Sequence, residues 1–94
     1  VYTLKARPRT SPLIVHVTSE AAARDLASVW PDAAALLAAR FWPGPLTLIV
    51  PKSPSVLDVV TAGLATVGLR VPSHPVAQAL LERAGVPVAA PSAN

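Results

Sequence analysis

Apolar residues change their spacing several times along the chain, and each change predicts an element. "PLIVHV" (12–17) is a β-branched apolar run behind Pro12, the pattern of a buried strand. Thr18 or Ser19 then offers a helix N-cap. In the "EAAARDLASVW" that follows, Ala22, Leu26 and Val29 recur at helical spacing and predict an apolar helix face. Pro31 and Asp32 open a second helix, with Ala33, Leu36, Leu37 and Phe41 expected on one side. Two prolines around a glycine make "WPGP" (42–45) a turn, since no regular element accommodates them.

"LTLIV" (46–50) is the second predicted strand, and "PKSPS" a loop. "VLDVVTAGLA" fits a short helical turn followed by a loop near Gly63. "TVGLRV" (66–71) is a third strand, ended by Pro72. "SHPVAQALLERAG" is the clearest helix. Ser73 or His74 caps it, Pro75 suits its first turn, Val76, Leu80 and Leu81 are expected to bury one face, and Gly85 terminates it. "VPVAA" is a fourth strand leading to Pro91. Strands alternating with helices predict an α/β (α+β) class built around a sheet.

Composition narrows the picture. At 94 residues the chain is at most one domain. It is 52% apolar and 14% charged, which is too apolar for a disordered segment. Pro, Ser, His or a charge interrupts each apolar run before the roughly 20 residues of a membrane span. With no cysteine, disulfides, thiolate catalysis and cysteine zinc sites are excluded, and a reducing cytoplasm is compatible with the composition. The net charge of +3 is mild, but Lys5, Arg7 and Arg9 crowd the N-terminal stretch with no acid nearby.

Four features could carry chemistry. Lys5 and Arg7 in "KARPRTSPL" point to one side of an extended segment, and Pro8 favours extension at Arg7. They suit a polyphosphate, the Arg as a planar fork and the Lys as a point charge, or they form a solvated basic edge. "PSAN" (91–94) sets a hydroxyl and an amide at a strand exit, where α/β sheets bind ligands and where turns also use these residues. Arg70 shares a strand face with Gly68, so either a ligand carboxylate finds room there or the Arg faces solvent. His16 shares a face with Ile14, and no visible carboxylate or second histidine argues for a metal site or a catalytic triad.

Taken together, "KARPRTSPLIVHV", "FWPGPLTLIVP", "TVGLRVPSHPVAQALL" and "PVAAPSAN" resemble, in order and over the whole chain, the YrdC-like threonylcarbamoyl-AMP synthase family. The resemblance implies a twisted, mixed β-sheet flanked by helices around a positively charged cavity. It implies a nucleotidyltransferase that joins L-threonine, bicarbonate and ATP into threonylcarbamoyl-adenylate with release of pyrophosphate. A partner system then passes the threonylcarbamoyl group to tRNA. By similarity Lys5 and Arg7 are the catalytic basic pair on the nucleotide phosphates, and Ser11, Thr66, Ser92 and Asn94 join them in binding ATP, with Mg²⁺ as companion. His16, Arg70 and Ala90 fall around the threonine, Arg70 facing its carboxylate. Ala6 replaces a residue that is often glycine in the family.

The resemblance also carries departures. The family's Pro-Thr-Glu-Thr-x-Tyr-Gly-Leu segment, upstream of "KARP", is absent from these residues, as is the continuation after "PSAN", so residues 1–94 are expected to be a partial domain. Two other functions remain open. One is a carbamoyl-adenylate-forming domain of a hydrogenase maturation protein, which zinc-finger and acylphosphatase segments upstream would favour. The other is a double-stranded RNA-binding module, whose affinity would fall steeply with salt. The isolated 94-residue chain is expected to be inactive or very weak; pyrophosphate release that depends on both threonine and bicarbonate, measured on this chain, checks the expectation.

Overall fold

The computed structural model describes residues 12–91. Its elements, in chain order, are β1 (Ile14–His16), α1 (Glu20–Arg24), α2 (Asp32–Phe41), β2 (Leu48–Pro51), α3 (Asp58–Thr61), β3 (Thr66–Arg70), α4 (Pro75–Ala84) and β4 (Val88–Ala90). The described strands form one mixed sheet in the order β2-β3-β1-β4. β1 and β3 run parallel, with Ile14 opposite Gly68, Val15 opposite Leu69 and His16 opposite Arg70. β2 lies antiparallel on the far side of β3, and β4 antiparallel on the far side of β1, where Ile14 meets Ala90.

Period-2 alternation assigns the two faces. Val15, Val17, Val67, Leu69, Val71, Leu48 and Val50 are buried and face the helices. Leu69 and Val67 are 0% and 1% exposed, so the sheet centre is the driest part of the core. Ala23, Ala34, Ala38 and Val56 complete that core, with Leu26, Trp30, Trp42, Leu46 and Val60 packed around it.

Several local signals act as the pattern predicts. The Ser19 hydroxyl accepts the Ala22 N–H at 3.2 Å and caps α1. His74 Nδ1 accepts the Val76 N–H at 3.1 Å, with Pro75 in the first turn of α4. Gly85 ends α4 at φ 69°, a left-handed conformation that costs a side-chain-free residue least. The short turn before Gly63 is α3, closed by the Thr61 hydroxyl donating to the Leu64 carbonyl at 2.9 Å.

Two helices differ from their patterns. α1 stops at Arg24 rather than running on to Trp30. The next N–H groups, of Leu26 and Ala27, bond three residues back, and the Ser28 N–H turns to the Pro51 carbonyl at 2.9 Å. The Ser53 N–H reaches the Leu26 carbonyl at 2.8 Å, and Ala27 bridges Lys52. Pairing with the end of β2 thus replaces the remaining helical turns, and Val29 is exposed. In α2, Ala34 and Ala38 face the core while Leu36 and Phe41 are 60% and 52% exposed. Small residues four apart let the helix backbone approach the sheet closely, so the bulky side points out. α4 likewise buries Leu81 and leaves Val76 and Leu80 exposed.

This inversion has a measurable consequence. Leu69→Ala is expected to cost about 2–5 kcal/mol of stability, as for other large-to-small core changes. Leu36→Ala is expected to stay within about 0.5 kcal/mol, as for surface positions. Urea unfolding of both variants checks this, and equal losses would mean that the bulky side of α2 is its buried side.

Candidate functional site on the open sheet face

The helices cover one side of the sheet. Thr66, Gly68 and Arg70 of β3, Ile14 and His16 of β1, and Val88 and Ala90 of β4 alternate onto the other. Thr66, Arg70, His16 and Ala90 are all half-buried there. The parallel register places His16 directly opposite Arg70, on neighbouring strands about 4.8 Å apart. Thr66 lies four residues before Arg70 on the same strand face, roughly 13 Å away at about 3.3 Å per residue. Four of the residues singled out from the sequence therefore share one surface. Lys5, Arg7, Ser11, Ser92 and Asn94 lie outside the described residues.

The room expected above Gly68 is partly filled. A Cβ on Gly68 would stand 3.3 Å from Thr47 Cγ2 and 3.9 Å from Ile14 Cγ1. Gly68 thus admits the Thr47 methyl from the segment leading into β2 as well as leaving space beside Arg70. Thr47 belongs to this face although the sequence singled it out only as part of a strand.

Arg70 is held from the side by a loop. Its Nε donates to the Gly44 carbonyl at 3.3 Å. The Gly44 N–H donates to the Val71 carbonyl at 2.8 Å, and the Val17 N–H to the Arg70 carbonyl at 3.0 Å. Within the same loop the Trp42 indole N–H donates to the Leu46 carbonyl at 2.8 Å. Trp42 packs against Trp30 with ring centroids 6.1 Å apart. The indole of Trp30 in turn donates to Glu20 at 3.2 Å, beside the Glu20–Arg24 ion pair. Among the described residues no carboxylate pairs with Arg70. By contrast Arg24 is paired with Glu20, and Lys52 with Asp58 at 3.0 Å.

Two concavities among the described residues lie elsewhere. One, of about 330 Å³, sits between the end of β1 and α4, lined by Val17, Thr18, Ala22, Leu81, Glu82 and Val86. The other, of about 470 Å³, lies by Thr18, Glu20, Ala38, Trp42, Val71 and Gln78. Neither is lined by His16, Thr66, Arg70 or Ala90. Among the described residues no three His, Asp or Glu side chains gather to hold a metal ion. Among them, too, no helix is long and apolar enough to cross a membrane.

A mixed sheet with helices on one side and Arg70 beside His16 on the other defines a class, that of α/β domains built on a four-stranded mixed sheet. The chain belongs to the family described by the Sua5_yciO_yrdC model ("Telomere recombination"), which matches residues 1–94. It is 50% identical over 95 residues to the threonylcarbamoyl-AMP synthase of Bacillus subtilis, covering 100% of this chain and 28% of that protein. It is 49% identical over 94 residues to the threonylcarbamoyl-AMP synthase of Pyrococcus abyssi, again 28% of the relative's length. The fold matches the crystal structure of P. abyssi Sua5 complexed with L-threonine at a TM-score of 0.90 and 51% identity, over 96% of this chain and 26% of that one.

Proposed function

We propose that this chain supplies the sheet face on which threonine and ATP meet in a threonylcarbamoyl-AMP synthase. One observation carries the proposal: Arg70 and His16 stand side by side on one sheet face, with Ala90 diagonal to His16 on β4 and Thr66 further along the same face of β3. The likeness to a relative complexed with L-threonine supports reading that face as an amino-acid site.

In this reading the Arg70 guanidinium takes the carboxylate of threonine, and His16 and Ala90 flank the rest of the amino acid. The threonine amine attacks bicarbonate carbon, water leaves, and the product is a carbamate. A carbamate oxygen then attacks the α-phosphorus of ATP, and pyrophosphate departs as the new oxygen–phosphorus bond forms. Both partners are anions, so positive charge has to neutralise them before they meet. Lys5 and Arg7 are assigned that role, with Ser11, Thr66, Ser92 and Asn94 on the nucleotide. The described acidic residues form no cluster suited to Mg²⁺, so no step is assigned to a protein-held metal ion. No protein nucleophile is required, because the carbamate itself attacks. Excluding water protects the mixed anhydride from hydrolysis. The adenylate would serve tRNA modification through a transferase partner, and the cysteine-free composition fits a cytoplasmic setting.

In the complete gene product, pyrophosphate release is expected to require threonine, bicarbonate and ATP together. Arg70→Ala is expected to weaken threonine binding about 10- to 100-fold, since a hydrogen bond to a charged group contributes about 1.5–3 kcal/mol. ATP binding is expected to persist. Calorimetric titration of each ligand into both proteins checks this, and undiminished threonine binding by the variant overturns the assignment.

A further inference from the structure

We propose that Gly44 is a positioning residue: its carbonyl aims the Arg70 guanidinium so that a ligand carboxylate is met end-on, by the two terminal nitrogens. The inference rests on the reading of Arg70 as the partner of a carboxylate.

A guanidinium offers five N–H donors in a rigid plane. A carboxylate can bind it side-on, through Nε and one Nη, or end-on, through Nη1 and Nη2; both are bidentate forks. In this protein the Nε donor is already engaged by the Gly44 carbonyl. The end-on edge is then the one that keeps two parallel donors. The acceptor is also a neutral carbonyl rather than a carboxylate, so it orients the side chain without cancelling its charge. A carboxylate in the same place would leave a neutral pair with little attraction for an anion.

The loop that supplies the carbonyl is built to hold still. Gly44 is buried, and both its backbone groups are committed to the end of β3, the N–H to Val71 and the C=O to Arg70. A Cβ at this position would lie 2.6 Å from the Phe41 carbonyl oxygen, so only glycine fits where the loop leaves the end of α2. Pro43 and Pro45 flank it with restricted backbone angles. The Trp42 indole N–H closes the loop on the Leu46 carbonyl. The "WPGPL" block thus has a role beyond turning the chain: it removes rotational freedom from Arg70 before any ligand arrives.

A double-mutant cycle in the complete gene product tests this. Threonine and ATP are titrated calorimetrically into the wild type, Gly44→Ala, Arg70→Ala and the double variant. Gly44→Ala is expected to weaken threonine binding about tenfold while ATP binding changes less than about twofold; in the Arg70→Ala background it is expected to add nothing. NMR supplies a signature that mere destabilisation would not move. The Arg70 Nε–H of the wild type is expected to exchange with solvent more slowly than that of an exposed arginine. If Gly44→Ala does not fold, Trp42→Phe, which removes the loop-closing N–H, is expected to weaken threonine binding in the same direction. A wild-type Nε–H exchanging as fast as an exposed one overturns the proposal, as does a Gly44→Ala effect that persists without Arg70. Arg70→Ala binding threonine normally would instead overturn the reading on which the proposal rests.

Discussion

The parallel pairing of β1 with β3 is the constraint on which the rest depends. Val15 lies opposite Leu69 and His16 opposite Arg70, so one register decides both the core and the polar face. A slip of one residue would turn Leu69 and Val67 out to the open side and drive Arg70 among the helices. Stripping an unpaired guanidinium of water in the core is far costlier than exposing a leucine. Apolar burial on one side and the charge on the other therefore enforce the same alignment, and the candidate site inherits the rigidity of the core.

The helices serve that sheet through small contacts. α2 meets it with Ala34 and Ala38, and α1 with Ala23, each fully or almost fully buried. Alanine contributes little area, but it lets the helix backbone come close, and bulkier residues then close the margins. Trp30 and Trp42 do this from two connecting segments, and their indole N–H groups end on Glu20 and on the Leu46 carbonyl. Among the described residues no buried side-chain nitrogen or oxygen lacks a partner. The amphipathic rings fill space at the core edge while their polar ends bond the start of α1 and close the loop beside Arg70.

The open face gains its order from those same loops. Arg70 emerges from β3 next to the segment that precedes β2, and that segment bonds to the strand through both groups of Gly44. Thr47, from the same segment, fills space over Gly68. Turn, strand end and charged side chain form one unit, in which the loop's backbone is as much a part of the site as the side chains on the sheet.

The kind and order of the elements are written in local patterns of the chain. The short apolar runs at 12–17, 46–50, 66–71 and 86–90 all contain strands, because β-branched stretches bounded by Pro and turn residues carry a local signal. The helix caps were legible to within one residue, Thr18 or Ser19 and Ser73 or His74, and the stop at Gly85 outright, since capping uses neighbours two to four residues away; the structure selects Ser19 and His74. The sharing of a face by Gly68 and Arg70 followed from strand alternation. Tertiary structure alone decided the rest. α1 ended early because its next backbone groups found partners near Pro51, twenty-odd residues along. Leu36 and Phe41 faced outward because close approach to the sheet favoured alanine, a preference that hydrophobic spacing does not encode. His16 came to stand beside Arg70, and the Gly44 carbonyl within reach of its Nε, only through strand order and loop path, and both are settled by contacts between residues far apart in the chain.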